Sequence, residues 1–267
     1  MTGRVSRLFR VPLALMNGIA ALGGYCLFPG PRSGAGMLAA CGGVTLLAMG
    51  GAALNQVLEC DIDGLMTRTR LRPLPQGEMT PSAAVFIGCG ASVLGCSILF
   101  TASGLQPVLL GLTALAWYLV VYTPLKRRTP LALPLGALCG AVPPLIGWCL
   151  AGGGLTDFRI IALAGMFFIW QIPHFWLLQI RHAEDYRRAG IPLFPIRPGI
   201  FGLWFVALTA SALMLPAFGI IGRQAAYWYG LFPTLLLIMV LCRWERPLFS
   251  YLNLFPVLVT LTLLVQG

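Results

Sequence analysis

The chain has 267 residues, of which 58% are hydrophobic and 10% charged, with a mean hydropathy of +0.85. This composition lies beyond that of soluble domains and excludes both a water-soluble enzyme and a disordered polar segment. The formal net charge of +10 would suit nucleic acid, but the positions of the basic residues argue for a membrane topology and no nucleic acid partner.

Apolar runs bounded by Gly, Pro or Arg recur at roughly 11–28, 37–57, 82–101, 105–122, 131–150, 159–180, 199–221, 226–242 and 248–265, each long enough to cross a bilayer. None alternates as barrel strands do, and backbone polar groups in lipid must be satisfied internally, so the runs are read as helices. The expected fold is an all-α polytopic membrane protein of about nine transmembrane helices, a single domain over residues 1–267. Arg4, Arg7 and Arg10 before the first run resemble a signal peptide. That run has full span length and no clear small-x-small site followed by polar sequence, so retention is expected. No organellar transit pattern is present, which favours a bacterial inner membrane.

Placing the N-terminus in the cytoplasm sorts the basic residues. Arg4, Arg7, Arg10, Arg68, Arg70, Arg72, Lys126, Arg127, Arg128, Arg181, Arg187, Arg188, Arg197, Arg243 and Arg246 then fall inside. Only Arg32, Arg159 and Arg223 fall outside. This split predicts N-in, C-out topology. The eight cysteines lie mostly in spans without a Cys-x-x-Cys pair, which reads as small buried hydrophobes rather than disulfides or zinc ligands.

After the second run come Glu59, Asp61 and Asp63, followed by Arg68, Arg70 and Arg72. Charge beside hydrocarbon is costly and points to a function. If the helix continues, Asn55, Glu59 and Asp63 share one face at i, i+4 and i+8, while Asp61 points elsewhere. Carboxylates of this kind suit Mg²⁺, which takes one or two of them plus phosphate oxygens. The structural alternative is an acidic helix end neutralised by the arginines that follow. Arg68 and Arg72, with Lys126 and Arg127 from another basic loop, suit a diphosphate, although topology anchoring accounts for many of these cations.

The second long basic loop follows the sixth run. Like the first, it carries acids (Glu184, Asp185), arginines and a Pro-rich exit, which suggests two halves whose loops meet over one cavity. His174, within an apolar run, is a functional candidate, and helical spacing would let one face carry both His174 and Asp185. His182 is read as solvated.

These residues resemble the UbiA superfamily of intramembrane prenyltransferases. Asn55, Glu59, Asp61, Asp63, Leu65-Met66, Arg68-Thr69, Arg72-Pro73-Leu74 and Gly77 follow its first motif, and Tyr122-Thr-Pro-Leu-Lys126-Arg127-Arg128-Thr129 its basic loop. Gly140 to Trp148, Trp170 to Trp176 and Asp185-Tyr186-x-x-Ala189-Gly190-Ile-Pro192 resemble the haem-directed subgroup. Glu59 and Cys60 depart from the usual Asp and Arg, which puts metal geometry and diphosphate affinity in question.

The resemblance implies a UbiA-like helical bundle with active-site loops on the cytoplasmic side. It also implies transfer of farnesyl from farnesyl diphosphate to a vinyl group of haem B (protoheme IX), giving haem O with Mg²⁺ as cofactor. On this reading Asn55, Glu59 and Asp63 bind metal, and Arg68, Arg72, Lys126 and Arg127 bind diphosphate. Asp61, His174 and Asp185 are catalytic. Tyr118, Tyr122, Trp148, Trp170 and Trp176 could face an allylic cation, with Tyr122, Trp148 and Trp176 assigned to the substrate pocket. Partners are the two substrates, the lipid bilayer, and haem A synthase or a terminal oxidase as a candidate assembly partner. The competing readings are a quinone-precursor prenyltransferase, an inactive haem-binding paralogue suggested by Glu59 and Cys60, and a transporter. The last is disfavoured because the acids sit at span ends beside arginines.

Overall fold

The computed structural model describes the backbone of residues 2–195, 197–242 and 245–266, without the side chains of residues 2, 198, 223, 224, 226 and 245–247. Arg243 and the side chains of Arg223 and Arg246, used above for topology, lie outside the described residues.

In chain order the helices are Thr2–Phe9 (α1), Val11–Leu27 (α2), Gly34–Leu58 (α3), Cys60–Asp63 (α4), Pro81–Ser103 (α5) and Leu105–Ala116 (α6). A π-helical segment, Trp117–Tyr122, joins α6 to Thr123–Leu125 (α7). Then follow Ala132–Leu150 (α8), Phe158–Arg181 (α9), Ala183–Arg188 (α10), Pro198–Ala217 (α11), Arg223–Leu241 (α12) and Glu245–Val265 (α13). Each apolar run read from the sequence therefore lies on helix. Among the described residues, seven helices are individually long and apolar enough to cross a membrane. The first run meets that standard only together with α1, from which it bends by 51°, and the apolar stretch of α12, Tyr227–Leu241, is shorter. The protein is an all-helical integral membrane protein.

Local chemistry sets the helix starts. Ser33 Oγ accepts from Gly36 N (2.9 Å), Thr80 Oγ1 from Ala83 N (3.3 Å) and Asp157 Oδ1 from Arg159 N (2.9 Å), each satisfying an amide the helix itself cannot. Small residues let the helices approach, as expected where lipid provides no hydrophobic drive. A Cβ on Gly24 would lie 1.9 Å from Pro144 O, and one on Gly147 1.8 Å from Ala21 O, so the α2–α8 crossing requires both glycines.

The helices alternate in direction, which gathers the loops at two ends. One end holds residues 59–80, 126–131 and 182–195. At the other, Arg32 donates to Leu264 O (3.0 Å) and Cys26 O (2.6 Å), and Trp148 Nε1 to Gly154 O (2.9 Å). The largest apolar core lies between α2, α8, α9, α11, α12 and α13, and includes Trp148, Met166, Phe205 and Phe255.

Candidate active site

The helix expected to run through Asp63 stops at Leu58. Glu59 leaves helical geometry (φ −117°, ψ 12°), and one short turn, α4, follows. The break preserves part of the expected face. Asn55 Nδ2 donates to Glu59 Oε2 (2.8 Å), and Glu59 and Asp63 are 2% and 1% exposed. The side chain of Asp61 is 64% exposed and points away, as the spacing suggested.

Each acid meets a cation from elsewhere in the chain. Lys126 Nζ lies 2.5 Å from Oε1 and 2.6 Å from Oε2 of Glu59. Only Oε2 is aligned for hydrogen bonding, so Oε1 is buried without an aligned donor. Arg72 donates to Asp63 Oδ2 at 2.5 Å. Arg127 grips both oxygens of Asp61 at 2.8 Å and also donates to Leu58 O (2.7 Å). The bond from Arg127 holds the Asp61 carboxyl below its usual range. Burial pushes the Asp63 carboxyl up against the pull of Arg72, and pushes the Lys126 ammonium down against Glu59. Buried pairs of this kind are expensive, and each partner is left partly uncompensated. The acid side can therefore accept a cation while the Lys126 and Arg72 side accepts an anion.

Polar residues from three elements hold these groups in place. Thr123 Oγ1 lies 2.8 Å from both Asn55 Oδ1 and Tyr118 O, and its single proton serves one of them. The π-helical segment before Thr123 turns Tyr118 and Tyr122 into a stack (ring centroids 5.9 Å), which Tyr122 continues onto Phe175 (6.4 Å). Lys126 Nζ sits 5.6 Å over the Tyr122 ring, so an aromatic wall adjoins the charged pairs. Gly136 makes room for it, since a Cβ there would lie 2.5 Å from the Tyr122 ring.

The two long loops meet, as their shared composition suggested. Ile62 and Met66 pack with Ile191, Tyr186 and Ala189. Asp185 accepts from Thr67 N (2.9 Å) and Arg68 N (3.2 Å). Burial pushes its carboxyl up, but these amides outweigh burial and hold it below its usual range. Asp185 therefore fixes the backbone of the arginine loop, while the Arg68 side chain is exposed.

Other predicted site residues lie elsewhere. α9 ends at His182 (φ −121°, ψ 28°), which breaks the single face imagined for His174 and Asp185. His174 instead stacks inside the bundle between Trp170 (5.0 Å) and Phe249 (5.5 Å), its Nδ1 buried without a partner. Trp148 is not brought to the site. It is fully buried at the opposite end of α8, packed on Phe28 (5.3 Å) and under the Arg159 guanidinium (5.3 Å). Trp176 turns toward α11, against Phe201 (5.9 Å) and Trp204 (6.2 Å), away from the Tyr122 stack. Of the five aromatics, Tyr118 and Tyr122 stand at the charged pairs.

Among the described residues no three His, Cys, Asp or Glu side chains converge as a preformed metal set. Mg²⁺ needs none, because it commonly combines one or two carboxylates with phosphate oxygens and water. Glu59, held by Asn55 and with Oε1 lacking an aligned hydrogen-bond donor, and the buried Asp63 carboxyl fit that requirement. Sequence reasoning missed Gln56, which is wholly buried, with Nε2 donating to Arg7 O (3.0 Å) and Leu8 O (2.7 Å). An uncharged polar residue at the end of an apolar run was the available signal. It missed Thr123 as well.

A family model described as the UbiA prenyltransferase family matches residues 17–251. Over 272 aligned positions, covering all of both chains, the sequence is 55% identical to the protoheme IX farnesyltransferase of Geobacter sulfurreducens. The apo structure of a UbiA homologue from Aeropyrum pernix K1 superposes with a TM-score of 0.80 at 19% identity, over 96% of this chain and 98% of that one. A UbiA homologue from Archaeoglobus fulgidus bound to GPP and Mg²⁺ gives 0.74 at 14% identity, over 98% of each chain. At such identities the likeness to these two structures is one of fold.

Proposed function

From the premise that this chain belongs to the UbiA prenyltransferase family, we propose how its residues carry out the transfer of farnesyl from farnesyl diphosphate to a vinyl group of protoheme IX. The enzyme is a protoheme IX farnesyltransferase by its full-length likeness to the Geobacter protein, and its product is haem O. The observation that carries the site assignment is the pairing of Glu59 with Lys126 and Asp63 with Arg72 beside the Tyr118–Tyr122–Phe175 stack.

Arg72 and Lys126 receive the diphosphate, with Arg127 and Arg68 at the rim. Their charge stabilises the leaving group as the bond from the allylic carbon to oxygen breaks. The vinyl carbon forms the new bond to that allylic carbon, and water adds to the resulting cation and loses a proton. Tyr122 and Tyr118 present their faces to the cationic prenyl carbon and, with the surrounding apolar helices, exclude water until the vinyl group has attacked. Asp61 holds Arg127, and Asp185 holds the 67–68 backbone, so both act as positioning residues. His174, between Trp170 and Phe249, belongs to the haem side of the cavity. Glu59, Asp63 and Asn55 would hold Mg²⁺, which when bound adds positive charge at the leaving diphosphate; the GPP and Mg²⁺ of the Archaeoglobus homologue support both ligands. The charge pattern supports nine spans, N-in, with the site on the cytoplasmic face of a bacterial inner membrane. A lipophilic haem product favours hand-off in the bilayer to haem A synthase or a terminal oxidase.

Purified protein incubated with haem B, farnesyl diphosphate and Mg²⁺ should yield haem O by mass spectrometry, and EDTA should abolish it. Product formed with 4-hydroxybenzoate in place of haem, and none with haem, would move the assignment to a quinone precursor.

A further inference from the structure

His174 and Arg181 are separated by two turns of α9, about 10 Å along its axis, and so share one face. Both meet the same ring of α13. The His174 imidazole stacks on Phe249 at 5.5 Å and 26°, and the Arg181 guanidinium lies 5.5 Å over that ring. Trp170 extends the column inward, stacked on His174 at 5.0 Å, and its Nε1 donates to Leu252 O (2.8 Å), which fixes α13 against α9. The column therefore runs from the apolar interior to the basic-loop end, where Arg181 is the last residue of α9 and its side chain is exposed.

This column joins the aromatic wall beside the charged pairs. Phe175 lies 5.7 Å from His174 and 6.4 Å from Tyr122. One aromatic surface thus has a cation at each end, Lys126 Nζ 5.6 Å over Tyr122 and Arg181 5.5 Å over Phe249. Packing alone would favour an apolar residue between Trp170 and Phe249, because a buried ring nitrogen without a partner, as at His174 Nδ1, costs stability. A ligand suited to the Arg181 end has a flat apolar body and an anionic edge. Haem B has both, with its propionates together on one edge of the macrocycle, and Lys126 at the far end is left to the diphosphate.

We propose that Arg181 is a haem-binding residue that pairs with a propionate of the acceptor and aligns the macrocycle along the Trp170–His174–Phe249 column. The proposal rests on the prenyl-transfer reading for the identity of the acceptor. The planar guanidinium fork matches a carboxylate with paired charge-assisted bonds, which a lysine at the same place supplies only as a point charge.

The test uses the full-length protein in detergent and two probes, haem B and its dimethyl ester, which keeps the macrocycle but lacks the carboxylate charges. Binding is followed by absorbance titration. The unaltered protein should bind the ester about tenfold more weakly than haem B. Arg181→Gln should raise the haem B Kd and KM by about tenfold, leave the farnesyl diphosphate KM unchanged, and erase most of the difference between haem B and ester. Arg181→Lys should recover part of the loss. Arg4→Gln, an exposed cation at the same end of the bundle, should discriminate haem B from ester as the unaltered protein does. If Arg181→Gln keeps the unaltered ratio of the two affinities, the proposal is overturned whatever its melting temperature, and Arg181 serves only the C-terminus of α9. An unaltered protein that binds haem B and ester alike overturns it too. If the unaltered protein transfers no farnesyl yet tells haem B from its ester through Arg181, the prenyl-transfer reading fails and the Arg181 assignment stands.

Discussion

The two ends of the bundle use charge differently. At the end away from the basic loops, Asp157 and Arg159 are two residues apart, and Asp157 caps the helix they begin. Arg32 is spent on the terminal carbonyls of α13 and on Cys26 O. Each such charge satisfies backbone groups that the fold leaves open, which is a structural need. At the basic-loop end Glu59 meets Lys126, Asp63 meets Arg72 and Asp185 meets the 67–68 amides, across separate loops, with both acids of the first two pairs buried. No helix end requires Glu59 or Asp63 to be buried with a cation. Where charge exceeds what the backbone needs and is nevertheless buried, function accounts for the excess.

Substitutions at the two ends should separate these roles. The largest effect is expected from Asp63→Asn, which keeps volume but removes the charge held by Arg72. The farnesyl transfer rate, measured as haem O formed, should fall by about a hundredfold to a thousandfold with little change in melting temperature. A near-normal rate at limiting Mg²⁺ would sink the metal assignment. Next comes pH. Asp63 titrates above the usual carboxylate range and Lys126 below the usual lysine range. Activity should therefore fall on the acid side as Asp63 gains its proton early, and on the alkaline side as Lys126 loses its proton early. Lys126→Arg should move only the alkaline limb, to higher pH. If neither limb moves, Lys126 is not the titrating group.

Asp185→Ala tests the clamp between the loops. Two amides lose their acceptor, so unfolding free energy should drop by about 2 kcal/mol, and the farnesyl diphosphate KM should rise as the arginine loop loosens. The sign of its pH dependence follows from the lowered carboxyl pKa. The stabilisation is fully present above the ordinary carboxylate range and is lost as pH falls through the depressed value. The smallest effect belongs to the opposite end. Trp148→Phe removes the bond to Gly154 O and should cost about 1 kcal/mol in thermal unfolding, with both substrate KM values unchanged. A raised KM there would return Trp148 to the substrate pocket.

Much of the fold was legible because lipid leaves the backbone few options. Length and apolarity place helices at every predicted run. The acidic and basic loops stood out because ions beside hydrocarbon are costly. The site's internal geometry was less legible. Helical spacing placed Asn55, Glu59 and Asp63 on one face and turned Asp61 away, and the structure keeps that relation through a helix break the spacing did not show. The same reasoning failed for His174 and Asp185, because His182 ends α9 between them. Aromatic content could not separate Tyr122 from Trp148, since both lie in apolar runs and only packing tells which end of a helix meets the loops.

The sequence by itself therefore determined a membrane-embedded helical bundle, an end where acidic and basic loops gather and, through its motifs, a prenyltransferase family. Those properties follow from composition, period and residue type, which are local. The partner of each acid, the service of Asp185 to the arginine loop and the structural role of Trp148 were decided by tertiary structure alone. Each depends on which loops the helix directions bring to the same end and how closely glycine-lined crossings let the helices approach, distances that no stretch of the chain encodes on its own.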